Sequence, residues 1–163
     1  MSQLNQIRTH VINRLVGAGT PPTLMQVQLL LAHIQAYHIS QFSRPAFEER
    51  IERTETGIRI REAGGDADGT HLKAVDLVAQ SNYNVDPYNQ RQAELTPSAE
   101  KAAEYILFTL GGKTGWDLQQ RIVATEAWRN TPAGPRGTPN HLDWSALAAS
   151  LYPAEATSTM AGW

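Results

Sequence analysis

A mainly α-helical fold is what the sequence predicts: one compact domain of six to seven helices carrying a single small β-hairpin or short strand. Three observations predict it. Apolar residues recur at three- and four-residue spacing through most of the chain, as they do on helices with a buried stripe. Ser, Thr and Asn fall at the starts of those segments and Gly or Pro at their ends, where helices are capped and stopped. Strict apolar–polar alternation is confined to one short stretch. With 163 residues, 41% of them hydrophobic, the chain can bury one good core. The domain is expected to span 1–152, with 153–163 a small, polar tail.

Leu4, Ile7, Val11 and Leu15 mark an amphipathic helix from residue 3 to about 16, with Ser2 as its N-cap and Gly17-Ala18-Gly19 as its stop. Pro21 and Pro22 then block helix entry until Thr23, which forms a capping box with Gln26. From Leu24 to about Ser40 the apolar positions nearly encircle the helix, so burial on most sides is expected. Pro45 ends it, and Pro45 to Glu52 reads as a charged turn or short helical piece. Thr54, Thr56, Ile58 and Ile60 alternate with Arg53, Glu55, Gly57, Arg59 and Arg61, the pattern of a half-buried strand or hairpin arm. Gly57 inside it suggests a bulge, a turn or close backbone approach.

Ala63 to Gly69 is a surface loop in which Asp66 and Asp68 do not meet the spacing of a calcium loop. Thr70 to Gln80 reads as a helix and Ser81 to Glu94 as a polar loop. Thr96-Pro97 is a helix start with proline at the first helical position, and Ala102, Tyr105, Ile106, Leu107, Phe108 and Leu110 predict a second strongly buried helix. After Gly111-Gly112, Thr114 caps a helix with Asp117 near its positive end and Trp116, Leu118, Ile122 and Val123 on its apolar faces. Asn130 to Pro139 is a Gly/Pro loop, and Asn140 with Asp143 caps a last helix whose inward stripe is Trp144, Leu147 and Leu151. Trp116, Trp128 and Trp144 are expected in the core, whereas Trp163 ends a polar tail, where it would suit an anchor into a partner or a neighbouring copy.

No catalytic constellation emerges. His33 and His38 are five residues apart, about 140° around a helix, so they do not share a face for a metal, and both read as surface or boundary residues. Acyl-transfer signatures and the standard phosphate cradles are missing, and Gly111-Gly112-Lys113-Thr114 reads as one helix ending and another beginning. The expectation is therefore no cofactor and no catalytic or metal-ligating residue. A net charge of −2 without a basic run argues against nucleic acid. The chain holds no cysteine, and no apolar run reaches the ~18–20 residues of a membrane span. A cytoplasmic location without membrane contact is the expectation. Residues 44–62 hold five Arg and five Glu, read first as a solvated face and second as a partner-binding surface.

Leu24–Ile60 resembles the start of the Panacea domain, the SocA-like antitoxin domain, whose members read K-L-Q-K-L-L-Y-x-A-Q-G-x-x-L and then G-x-P-L-F-x-x-x-I-E-A-W-K-Y-G-P-V. This chain has Gln26-Val27-Gln28-Leu29-Leu30-Leu31 and Gln35-Ala36-Tyr37-His38, followed by Arg44-Pro45-Ala46-Phe47, Ile51-Glu52 and Gly57. Further on come Leu95-Thr96, Thr114-x-Trp116-Asp117-Leu118, Trp128-Arg129 and a final helix with Asp143, Leu147 and Tyr152. The likeness runs from about residue 4 to 152. It departs at W-K-Y-G-P-V, where only Gly57 survives, and at the family's T-H, replaced by Ile122-Val123. The resemblance implies a non-catalytic antitoxin that neutralises a cognate protein toxin by direct binding. Some relatives instead hand the toxin to a protease. A phage or mobile-element protein using this fold for another contact, or an enzyme with a site unseen in the sequence, stays open, as does self-association. For binding, the departure from the family together with charge density selects the face of Arg53, Glu55, Gly57, Arg59 and Arg61, with Trp128 and Arg129 nearby.

Overall fold

The computed structural model describes residues 2–19, 22–63 and 93–153. Among them six α-helices and a small three-stranded antiparallel sheet make a mainly α-helical fold. The expected helix Thr70–Gln80, most of the Ala63–Gly69 and Ser81–Glu94 loops, and the tail with Trp163 lie outside the described residues.

Helix α1 (Gln3–Gly17) is capped by Ser2, whose hydroxyl accepts from Asn5 N. Helix α2 (Leu24–Phe42) carries the full Thr23/Gln26 capping box and stops at Ser43, which takes a left-handed φ of 58°. It is the hub of the domain, with Val27, Leu29, Leu30, Leu31, Ala32, Ile34 and Ala36 all buried. Burial around nearly its whole circumference follows from its sequence and leaves the surrounding segments to pack against it.

The polar residues of α2 hold those segments in place. Gln28 accepts from Ile60 N at 2.7 Å and donates to Ile60 O at 3.0 Å, continuing the sheet's ladder with a side chain. Gln35, wholly buried, accepts from Ala46 N and Phe47 N and donates to Phe47 O. Gln26 donates to Lys113 O, and Ser40 donates to Tyr152 O. His33 and His38, expected at the surface or boundary, are 1% exposed. His38 donates from Nδ1 to Arg44 O at 2.6 Å and accepts at Nε2 from the Ser98 hydroxyl at 2.8 Å. The physical reason is that residues 44–50 and 60–63 run beside a buried helix with few ladder partners, and buried backbone groups must be paired.

Residues 44–50, expected as a turn or short helical piece, form no helix and no strand, with bends at Arg44 and Ala46. They lead into β1 (Ile51–Arg53), which pairs with β2 (Ile58–Arg59) in a hairpin and with β3 (Asn140–Leu142) on its other side. The alternating stretch is thus a turn and a short arm, and its pairing partner begins earlier, at Ile51. Asn140, expected to cap the last helix, is instead in β3, and Asp143 alone caps that helix by accepting from Ala146 N. The Asn140 side chain accepts from His141 N on the strand.

Helix α3 (Pro97–Leu110) starts at Thr96 as its local signals require, but its buried face is Ala99, Ala102, Ala103, Ile106 and Leu110. Phe108 is 90% exposed and Tyr105 43% exposed, against the expectation for both. The alanines let the α3 backbone approach α2 closely, and that choice turns positions 105 and 108 outward. Tyr105 stacks on Tyr37 with centroids 4.2 Å apart. Helix α4 (Gly115–Val123) buries Leu118 and Ile122, while Trp116, expected in the core, is 63% exposed. A new cap at Thr125 then opens the short α5 (Glu126–Arg129), and α6 (Trp144–Leu151) closes the described core through Leu147 and Ala148.

Candidate protein-binding site

The hairpin apex is built by local hydrogen bonds. Thr54 N donates to Gly57 O at 2.9 Å, and Gly57 N donates to the Thr54 hydroxyl at 3.0 Å, closing a tight turn with Glu55 and Thr56 exposed at its tip. Helix α5 buttresses that turn. The Trp128 indole N–H donates to Gly57 O at 2.8 Å, and the Arg53 guanidinium lies 3.6 Å from the Trp128 ring centroid. Such a stack contributes about 0.5–2 kcal/mol, more as water is excluded. Arg53 also donates from Nη1 to the carbonyls of Thr54 and Glu55, so its edge is tied to the turn while its face lies on the ring. Its Nε is buried without a hydrogen bond among the described residues.

Two glycines of this region pack closely against the ends of long side chains. A β-carbon at Gly57 would lie 2.5 Å from Gln119 Oε1, and one at Gly137 would lie 2.7 Å from Glu55 Oε2. Gly137 has φ +76° and follows Arg136 at φ +58°, so the 130–139 loop turns sharply beneath the tip. Arg53, Glu55, Gly57 and Trp128 therefore form one cluster.

Arg59 does not belong to it. Across the hairpin it stands opposite Glu52, and the two form an ion pair at 3.0 Å with side chains only 7% and 14% exposed. This corrects its placement on an open face: the turn at 54–57 breaks the alternation, and Arg59 becomes a cross-strand partner of an inward carboxylate. Arg61 reaches the same Glu52 at 3.2 Å but is 55% exposed. It borders a charged cleft of about 610 Å³ with Glu48, Glu49, Arg50, Glu62 and His141. Arg129 points elsewhere again, into a groove between α4, α5 and α6.

Behind that groove His33, expected at the surface or boundary, is buried and meets the half-buried Tyr152, which the resemblance named only as part of the last helix. His33 Nδ1 and the Tyr152 hydroxyl are 3.0 Å apart. Donation by the tyrosine puts the imidazole proton on Nε2, which is buried without a hydrogen bond of good geometry among the described residues. Burial first, and the nearby Arg121 charge second, lower the His33 pKa to about 4, with the Leu118 backbone offsetting part of the shift. Burial likewise raises that of Tyr152. Thr56 and Arg121 were also passed over. Gly57 signals a turn in the alternating stretch, as the structure shows, but not which residues form its tip, and the apolar spacing around Arg121 carries no sign of a groove.

Among the described residues no group of three or more His, Asp or Glu side chains could hold a metal ion, and no helix is long and apolar enough to cross a membrane. Comparison of the chain with protein families, with curated proteins and with solved structures finds no match.

Proposed function

We propose that this protein is a non-catalytic protein-binding module, and that it acts as an antitoxin neutralising a cognate toxin by direct contact. The observation that carries the binding reading is the hairpin apex: exposed Glu55 and Thr56 on a turn whose base is held by Trp128 and Arg53. A tip ordered before contact loses little entropy on binding, and aromatic and arginine side chains are the usual energetic anchors of interfaces. The antitoxin reading rests on the likeness to the Panacea domain. A cytoplasmic location is part of the same proposal.

A second reading, contact with components of a larger phage or mobile-element assembly, draws on Phe108 and Trp116, which expose large apolar rings on α3 and α4. Affinity capture of the tagged protein from its native host, with sizing of the complex, separates the two. A small stoichiometric partner that is toxic alone and harmless when co-expressed supports the antitoxin. A large assembly, lost with F108A/W116A and kept with R53A/E55A, replaces it with the second reading. For the antitoxin, R53A/E55A weakens partner binding at least about tenfold, a loss of about 1.4 kcal/mol, with the fold intact; unchanged affinity refutes the apex as the site. Trp128→Phe, which keeps a ring but loses the bond to Gly57 O, speeds amide exchange at residues 54–57 and weakens binding by a smaller factor.

A further inference from the structure

Most arginines of the described residues are engaged. Arg8 donates to Ala63 O, Arg14 pairs with Glu104, Arg44 reaches Ser98, Arg50 approaches His141, Arg53 stacks on Trp128, and Arg59 and Arg61 share Glu52. Arg121, Arg129 and Arg136 differ: all three are exposed, and none makes a hydrogen bond or ion pair among the described residues, but only Arg121 and Arg129 lie close to each other. Both line one shallow groove of about 490 Å³, together with Ala124, Thr125, Glu126, Ser150 and Leu151.

We infer that this groove receives an acidic peptide segment of a protein partner, its carboxylates paired with Arg121 and Arg129. The two guanidiniums come from the last turns of successive helices, α4 and α5, so a segment lying along the groove can meet both. Each can take a carboxylate through two parallel N–H···O bonds, a geometry lysine cannot offer. Ala124 and Leu151 supply an apolar floor that suits a chain rather than a lone small anion. Thr125 cannot help cradle a phosphate with its hydroxyl proton, because that hydroxyl donates to Ile122 O at 2.6 Å while accepting from Trp128 N. The same Thr125 caps α5, so the groove is tied to the helix that buttresses the hairpin apex. Glu126, the one acid in the lining, pairs with neither arginine and disfavours an acidic ligand at its own end of the groove.

The inference deepens the protein-binding reading and rests on it, but it is tested on a separate surface with a defined probe. A fluorescein-labelled peptide with a run of glutamates between Gly-Ser flanks is titrated into the full chain, followed by anisotropy at low and at high salt. The expected result is saturable binding, weakened about tenfold or more in R121Q/R129Q, changed less than twofold in R136Q, and not displaced by inorganic phosphate at equal concentration. Arg136 is a fair control because it too makes no hydrogen bond or ion pair among the described residues yet lies outside the groove. Absence of binding, equal loss in R136Q, or displacement by phosphate overturns the assignment. Thermal melts of the variants identify any loss that comes from unfolding, and a second double variant, R121K/R129K, then decides: it keeps the charge and the fold, and undiminished binding overturns the paired-carboxylate geometry. Peptide binding lost in R121Q/R129Q, together with partner affinity unchanged in R53A/E55A, locates the error in the apex and not in the groove.

Discussion

Replacing Gln35 by leucine tests whether the side chains of α2 hold the irregular 44–50 segment. Leucine is close in volume and stays buried, so the substitution removes hydrogen bonds with little change in packing. Three bonds go: from Ala46 N at 2.7 Å, from Phe47 N at 3.2 Å, and to Phe47 O at 2.7 Å. Phe47 is 2% exposed, so its N–H and C=O are left without water, at a cost of about 1–2 kcal/mol each. Ala46 is half-buried, and its N–H can turn to solvent for less. The added apolar surface returns some tenths to about 1 kcal/mol, which brings the expected net loss to roughly 3 kcal/mol. For a chain of this size, that lowers Tm by roughly 6–12 °C. Urea denaturation followed by circular dichroism measures it, with the slope unchanged if unfolding remains two-state. Q35E adds a second readout. Its carboxylate keeps the two accepted bonds but faces Phe47 O, so burial raises its folded pKa above the unfolded value near 4.3. Stability relative to the native chain should therefore recover as pH falls and the acid regains a proton to donate. A Q35L loss under 1 kcal/mol, or a Q35E deficit independent of pH, refutes the reasoning.

The remaining predictions concern buried charge. His33, with its pKa lowered from 6.5 to about 4, stays neutral in the fold while the unfolded chain takes up a proton. Stability is therefore fully present above pH 6.5 and falls as pH drops towards 4, by on the order of 3 kcal/mol from this group. H33Q keeps an acceptor for Tyr152 and should flatten that part of the acid limb, which parallel pH–stability curves for the two proteins would disprove. Glu52→Gln leaves the buried Arg59 without its carboxylate and should cost about 2–4 kcal/mol. R61A removes only the exposed arm of the same cluster and should cost less than about 1 kcal/mol; similar losses in both, by denaturant titration, would mean that the Glu52–Arg59 pair is not the one that matters.

The local signals of this chain were readable because they are satisfied locally. Thr23 with Gln26, Thr96 with Pro97, and Thr114 each cap the helix that their own next residues form, so sequence alone determines those starts. The near-complete apolar girdle of α2 likewise announced a central helix. Of the candidate site, Arg53, Glu55, Gly57 and Trp128 were named from the sequence and meet in space, while Arg59, Arg61 and Arg129 divide among other places. Alternation determines which side chains share a face only while the strand continues, and the turn at 54–57 ends it.

What tertiary structure decided were the pairings between distant segments. Asn140 joins a sheet because Ile51–Arg53 offers a free edge 87 residues earlier, counting from Arg53 to its partner Asn140. Gln28, Gln35 and His38 are buried because unladdered backbone beside α2 needs their donors and acceptors. Phe108 is outside because a face of small alanines on α3 packs more closely against α2 than large rings allow, and Trp116 is outside because Leu118 and Ile122 fill the inward face of α4. A sequence sets how much of each helix is apolar; the shape of the neighbouring element selects which residues fill the contact, since dispersion and the exclusion of water reward close fit over size.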